Sequence, residues 1–295
     1  LVDQLLEILE HQDYRFMLDG QMVILEDYLE IRPEREKELL RRIRSGQITI
    51  GPWYVLADEW LVGGESLVRN LERGFDLAKK FGIPIMDVAY LPDQFGHSSA
   101  VPQILADLTG LRAVVLWRGV PPEILTVPFE WKSCTESRAS ILGVYMPGGY
   151  GNVARLPEQF DEFVERVNEV VDDLRPFSPV PVFQLMNGSD HLFPQPFVQQ
   201  HVERLREQGI DISLGSVADF VTELQEAMNT AGYRPPLFVG EMRSPARAPL
   251  LQDTYSARMW IKLWNQKVED LPVSYTHLRA HETRHDLVCR LLLEK

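Results

Sequence analysis

Apolar and polar residues follow two rhythms along the chain, and the two take turns. Helical spacing through Val2, Leu5, Leu6 and Leu9 predicts an amphipathic helix over 1–10. The apolar run 16–25 predicts a strand turning into a brief helix near 26–29. Pro33 opens a helix, PEREKELLRRIRSG, with acids early, bases late and Gly46 as its stop. A strand over 47–54 precedes an amphipathic helix over 65–81 that Gly82 closes. Residues 85–90 read as a buried strand, followed by a polar turn and a helix that Ser98 or Ser99 can cap and Gly110 can end. Further strands are predicted over 113–117, 140–145, 180–186 and 210–214. Helices are predicted over 157–174 and, capped by Ser216, over 217–228. Strands that alternate with helices, with little hairpin chemistry, predict βα units and a mainly parallel sheet. No repeat of fixed period competes with that reading.

Composition narrows the class. A chain of 295 residues holds one large α/β domain, or one domain and the start of another. With 45% hydrophobic and 25% charged residues it can bury a sizeable core. The 43 acids against 30 bases give a formal charge of −13, with no basic patch to reverse it, which disfavours nucleic acid as a partner. Two cysteines, Cys134 and Cys289, imply no disulfide framework, so a reducing, cytoplasmic setting is expected. No apolar run approaches the roughly 20 residues that span a bilayer, and no signal peptide is read. The opening, LVDQLLEILE, reads as mid-helix and leads us to expect a natural N-terminus further upstream.

The sequence Pro92-Asp93-Gln94-Phe95-Gly96-His97 falls just past the C-terminal end of a predicted strand. In α/β architectures catalytic side chains collect there, although an Asp in that place also caps turns. Four predicted strands end in polar, Gly-rich or aromatic loops, after Ile50, Tyr90, Leu116 and Met186. In a barrel of parallel strands all four loops open on one face, so Trp53, Asp93, Trp117, Arg118 and Asp190 can converge. Two carboxylates between aromatic walls are the parts of a glycoside hydrolase. One acid is ionised to attack or stabilise the anomeric carbon, and the other is protonated to release the leaving oxygen. Asp pairs are common and Trp is often only core, so the parts alone leave the function open.

Taken together, several stretches resemble the family-38 α-mannosidases, particularly bacterial members. They are Gly51-Pro52-Trp53-Tyr54 with Asp58-Glu59 and Gly64-Glu65-Ser66-Leu67-Val68-Arg69-Asn70-Leu71, then Leu91-Pro92-Asp93-Gln94-Phe95-Gly96-His97. Trp117-Arg118-Gly119, Met186-Asn187-Gly188-Ser189-Asp190-His191 and Gly240-Glu241-Met242-Arg243 with Ala248-Pro249-Leu250-Leu251 complete the match. The resemblance covers roughly residues 1–271. It implies a seven-stranded (β/α) barrel with mainly parallel strands, followed by the start of a helical domain. It also implies a retaining α-mannosidase acting on an α-mannoside or a mannosylated small solute. Asp93 would be both nucleophile and zinc ligand, and Asp190 the general acid/base. Trp53, Trp117, Arg118, Tyr150, His191 and Arg243 would contact the sugar. His97 would lie behind the site or serve structure alone.

The family's zinc site also draws on a His-x-Asp pair from the first strand and a His from the helical domain. The sequence supplies neither, so the zinc site is expected to be incomplete and the chain, as a fragment, inactive. The expected division is a catalytic barrel over 1–253 lacking its first strand, the start of a helical middle domain over 254–271, and a tail over 272–295. From Ser274 the tail resembles a recurring translated adapter sequence and is expected to be non-native. Its His281-Glu282-Thr283-Arg284-His285 matches the H-E-x-x-H zinc motif only formally, since no third ligand or catalytic domain follows. Two alternatives stay open: a metal-dependent carbohydrate deacetylase on a related barrel, and a non-catalytic carbohydrate-binding barrel.

Overall fold

The structure, a computed structural model, describes residues 1–134 and 139–279. The N-terminal part carries α1 (Val2–His11), β1 (Phe16–Met17), α2 (Val23–Ile31), α3 (Glu36–Arg44), β2 (Ile48–Thr49) and α4 (Gly64–Phe81). Next come β3 (Val88–Leu91), α5 (Val101–Thr109), β4 (Ala113–Leu116), β5 (Pro128–Lys132) and β6 (Ser140–Tyr145). The chain continues with α6 (Phe160–Leu174), α7 (Phe197–Glu207), α8 (Val217–Ala231), β7 (Leu237–Val239) and α9 (Met259–Arg279).

Local chemistry explains the clearest elements. In α4, Leu67, Leu71, Leu77 and Ala78 recur on one buried face, and Gly82 ends the helix in the left-handed region. Ser216 and Asp219 form a reciprocal capping box at the start of α8. Strands β3 and β4 are buried on both faces, as parallel strands under helices must be. Ala89, Leu91, Val114 and Leu116 pack in a core with Leu67 and Leu71 of α4 and Val101 and Leu105 of α5. Val88, Tyr90, Ala113 and Val115 face the other way, into a core with Val217, Val221 and Leu224 of α8.

The architecture is α/β, but the strands among the described residues do not form the expected closed seven-stranded barrel. They make a two-stranded parallel sheet, β1–β2, and a mixed five-stranded sheet in the order β3-β4-β6-β5-β7. Strand β5 runs antiparallel to β6 and parallel to β7. The stretches 180–186 and 210–214, expected as strands, run without ladder partners. The first is satisfied differently: Asn152 takes the Met186 N–H on its Oδ1 at 2.7 Å and donates Nδ2 to the Gln184 carbonyl at 3.0 Å. Val153 N–H adds a bond to the Met186 carbonyl. A side chain thus replaces the neighbouring strand there. Helix α9 runs through Pro272, across the division expected between 271 and 272, at the loss of one backbone bond. His281 and His285, of the formal zinc motif, lie outside the described residues. No helix among the described residues is long and apolar enough to cross a membrane.

Candidate active site

Asp93 stands two residues past β3 and is clamped from behind. The His97 Nδ1 meets Glu59 Oε1 at 2.8 Å with both side chains essentially buried, and Glu59 Oε2 accepts the Ser98 N–H at 2.7 Å. His97 and Met242 exchange both backbone hydrogen bonds. The Tyr255 hydroxyl donates to the Phe95 carbonyl and to Asp58 Oδ2, each at 3.1 Å. In front, Arg118 at the end of β4 donates Nε to Asp93 Oδ1. The guanidinium is itself fixed, with Nη1 on the Pro249 carbonyl at 2.9 Å and its carbon 4.2 Å from the Trp117 ring centre. Of the Asp93 side chain, 42% stays open.

Tyr150 follows β6 on the loop Gly148-Gly149. Its ring meets Trp117 edge-on at 5.4 Å. Gly149 makes this approach possible, because a Cβ there would lie 2.6 Å from the Trp117 ring at a φ of +76°. The Tyr150 hydroxyl points at Asp190 Oδ2 in a long contact of 3.5 Å. Burial raises the Tyr150 pKa, the charges of Asp93 and Asp190 raise it further, and Arg118 opposes them. The phenol therefore stays a neutral donor between two acids. Asp190 sits in the loop that follows the stretch held by Asn152.

These groups open on a cavity of about 1310 Å³ lined by Asp93, Tyr150, Asp190 and His191. His191 adopts a left-handed backbone conformation and is exposed. Trp117 and Arg118 do not line the cavity themselves but touch this cluster through Tyr150 and Asp93. Two other expected sugar contacts lie elsewhere. Trp53 is 2% exposed, packed in the core, and does not line the cavity. Arg243 stacks over Trp60 at 4.4 Å instead of lining the cavity. An aromatic near a strand end and an Arg in a matching motif do not reveal which way their side chains turn.

The structure adds residues that the sequence reading passed over. Asp19 and Gln21 line the same cavity, as does Asp58. The available signal for Asp19 was an Asp-Gly turn directly after a short apolar strand, at the strand end where chemistry gathers. Burial raises the Asp19 pKa; a hydrogen bond from Gln21 lowers it, and the Asp190 and Asp93 charges raise it again. Among the described residues no group of three or more His, Cys, Asp or Glu could hold a metal ion. They therefore do not fit a zinc site by themselves, and Asp93 already shares one oxygen with Arg118.

A strand-end aspartate held by an arginine, lining one cavity with a second aspartate, supplies the parts of glycoside chemistry. The glycosyl hydrolases family 38 N-terminal domain matches residues 1–241. A "putative mannosylglycerate hydrolase" from Halalkalibacterium halodurans is 32% identical, over 92% of this chain and 32% of that protein. The solved structure of an alpha-mannosidase from Enterococcus faecalis V583 superposes with a TM-score of 0.81 at 28% identity, covering 91% of this chain and 31% of that one. A second Enterococcus faecalis structure, of a family-38 glycosyl hydrolase protein, gives a TM-score of 0.72 at 23% identity over 97% of this chain and 31% of its own, a likeness of fold alone. The chain belongs to glycosyl hydrolase family 38 and carries its N-terminal domain. It spans about a third of the length of the relatives it matches.

Proposed function

We propose that this chain carries the catalytic acids of a retaining α-mannosidase acting on an α-mannoside or a mannosylated small solute. The observation that carries the reading is that Asp93 and Asp190 share one cavity and one neutral neighbour, Tyr150. The printed descriptions of two relatives, a mannosylglycerate hydrolase and an alpha-mannosidase, favour the mannose unit. In the first step an Asp93 carboxylate oxygen bonds to the anomeric carbon. The bond from that carbon to the leaving oxygen breaks as protonated Asp190 delivers its proton to that oxygen. In the second step Asp190 takes a proton from water, whose oxygen attacks the anomeric carbon and frees Asp93. Arg118 orients Asp93, and Tyr150 offers a hydroxyl donor beside Asp190. The zinc that the family resemblance places on Asp93 would need ligands other than the described residues provide. We assign residues 1–253 to the catalytic unit and 254–271 to the start of a helical domain. Membership of a glycosyl hydrolase family sets the deacetylase alternative aside.

The test is hydrolysis of an aryl α-mannoside by the chain joined to the complementary part of a family-38 relative. Asp93→Ala should lower kcat by a thousandfold or more, on the order seen when a covalent nucleophile is removed. The sugar first released should keep the α configuration. Full activity in Asp93→Ala, or release of the β anomer, would sink the assignment.

A further inference from the structure

We propose that Asp19 is a specificity-determining residue of the sugar site, whose open carboxylate oxygen accepts a hydrogen bond from one ring hydroxyl of the glycoside. The proposal rests on the reading of the cavity as a glycoside site and adds a third acid to it.

Asp19 follows β1 at the strand's C-terminal end and lines the cavity with Asp93 and Asp190. Its backbone is in the left-handed region at φ +43°, which few residues other than Gly enter and which Asp and Asn tolerate best. The next residue, Gly20, lies so close to Tyr90 that an added Cβ would stand 3.3 Å from the tyrosine Cβ. The turn is thus pressed against β3, the strand that leads to Asp93.

The carboxylate is aimed as well as placed. Gln21 Nε2 donates to Asp19 Oδ2 at 2.7 Å. The amide cannot be the other way round, because Gln21 Oε1 accepts the Leu56 N–H at 3.0 Å. The Gln21 backbone is in turn bridged to Trp53. One Asp19 oxygen is therefore pinned, while among the described residues the other makes no hydrogen bond. Among the described residues Asp19 has no ion-pair partner: Arg118 is held by Asp93, Pro249 and Trp117, and Arg15 lines the same cavity without pairing with it. Among the described residues it belongs to no cluster able to hold a metal.

A carboxylate pinned at one oxygen beside two other acids, on a left-handed backbone, is an arrangement of the kind that gathers at functional sites. A neutral polyol relieves the open oxygen without a countercharge, since a sugar O–H donates to a carboxylate in a strong, charge-assisted bond. An anionic ligand group would be repelled there.

The experiment is a calorimetric titration of the chain with methyl α-D-mannoside and its 2-, 3-, 4- and 6-deoxy forms, comparing wild type with Asp19→Asn. Asparagine keeps the backbone conformation and can still accept from Gln21, so the change falls on the open oxygen. The expected result is an affinity loss of about tenfold or more for the parent sugar. One deoxy form should bind both proteins alike, because its missing hydroxyl and the missing acceptor are the same interaction. Unchanged affinity in Asp19→Asn, or losses that simply add for all four deoxy forms, overturns the proposal and leaves the mannosidase reading standing. If wild type instead prefers another pyranoside and Asp19→Asn weakens that one, the proposal stands and the mannose assignment falls. If no pyranoside binds, both fall. Should Asp19→Asn unfold, Gln21→Met unpins the same carboxylate: a smaller loss confined to the same hydroxyl supports the proposal, and an additive loss overturns it.

Discussion

The two proposed catalytic acids are held in opposite ways. Asp93 rises from a buried parallel strand, and its loop is gripped by a buried Glu59–His97 pair, a backbone bridge to Met242, the Tyr255 hydroxyl and Arg118. Asp190 follows a stretch with no ladder at all, steadied by the Asn152 amide and touched by a distant Tyr150 hydroxyl. The contrast suits the proposed roles. A nucleophile must sit within a few tenths of an ångström of the anomeric carbon, whereas an acid/base must serve a leaving group first and a water molecule afterwards.

The comparison breaks most readily at Glu59. Glu59→Ala leaves a buried imidazole and the Ser98 N–H without their partner, and should lower unfolding stability by roughly 3 kcal/mol. A change below about 1 kcal/mol in chemical denaturation would mean that the clamp behind Asp93 is not a clamp. Asn152→Ala should cost less, about 1–2 kcal/mol, but should act on chemistry through Asp190. Its kcat/KM should fall more for mannosides with poor leaving groups than for activated aryl ones, since only the former need the acid. Equal losses across leaving groups would show that Asn152 does not set the acid. The smallest effect concerns Tyr255. Burial, the Asp58 charge and the hydrogen bond to Asp58 hold its pKa well above the ordinary value. Because the folded pKa is the raised one, stability is untouched below about pH 10 and falls as pH rises beyond it, where the unfolded phenol ionises first. Tyr255→Phe should flatten that alkaline decline; an unaltered slope would remove Tyr255 from the account.

The Asp93 side of this contrast was readable in advance, and the Asp190 side only in part. Around Asp93 most local signals agree: an apolar strand, a polar turn, then a helix ended by Gly110 in the left-handed conformation, although Ala100 rather than Ser98 or Ser99 stands at its N-cap. Near Asp190 the apolar run 180–186 has the look of a strand, but a strand exists only where a neighbour supplies the ladder. Here the partner is one amide in a Gly-rich loop, which no periodicity marks. Strand β5 was missed because Pro128 opens it and Glu130 points outward, which dilutes the apolar pattern. Trp53 shows the converse limit, since residue type marked it as a sugar wall and burial made it core.

The tie at Tyr255 also governs how this gene can be recombined. The loop 58–63 that carries Glu59 is held by residues far along the chain: Tyr255 bonds Asp58, Glu269 accepts the Gly63 N–H at 2.9 Å, and Asn265 reaches the Leu61 carbonyl. A crossover between relatives placed near residue 253 therefore separates partners that must be inherited together. Chimeras that keep a phenol at 255 and an acid at 269 should remain compatible with this N-terminal sequence. Those that lose both should mismatch at the loop 58–63, although no residue of that loop was exchanged.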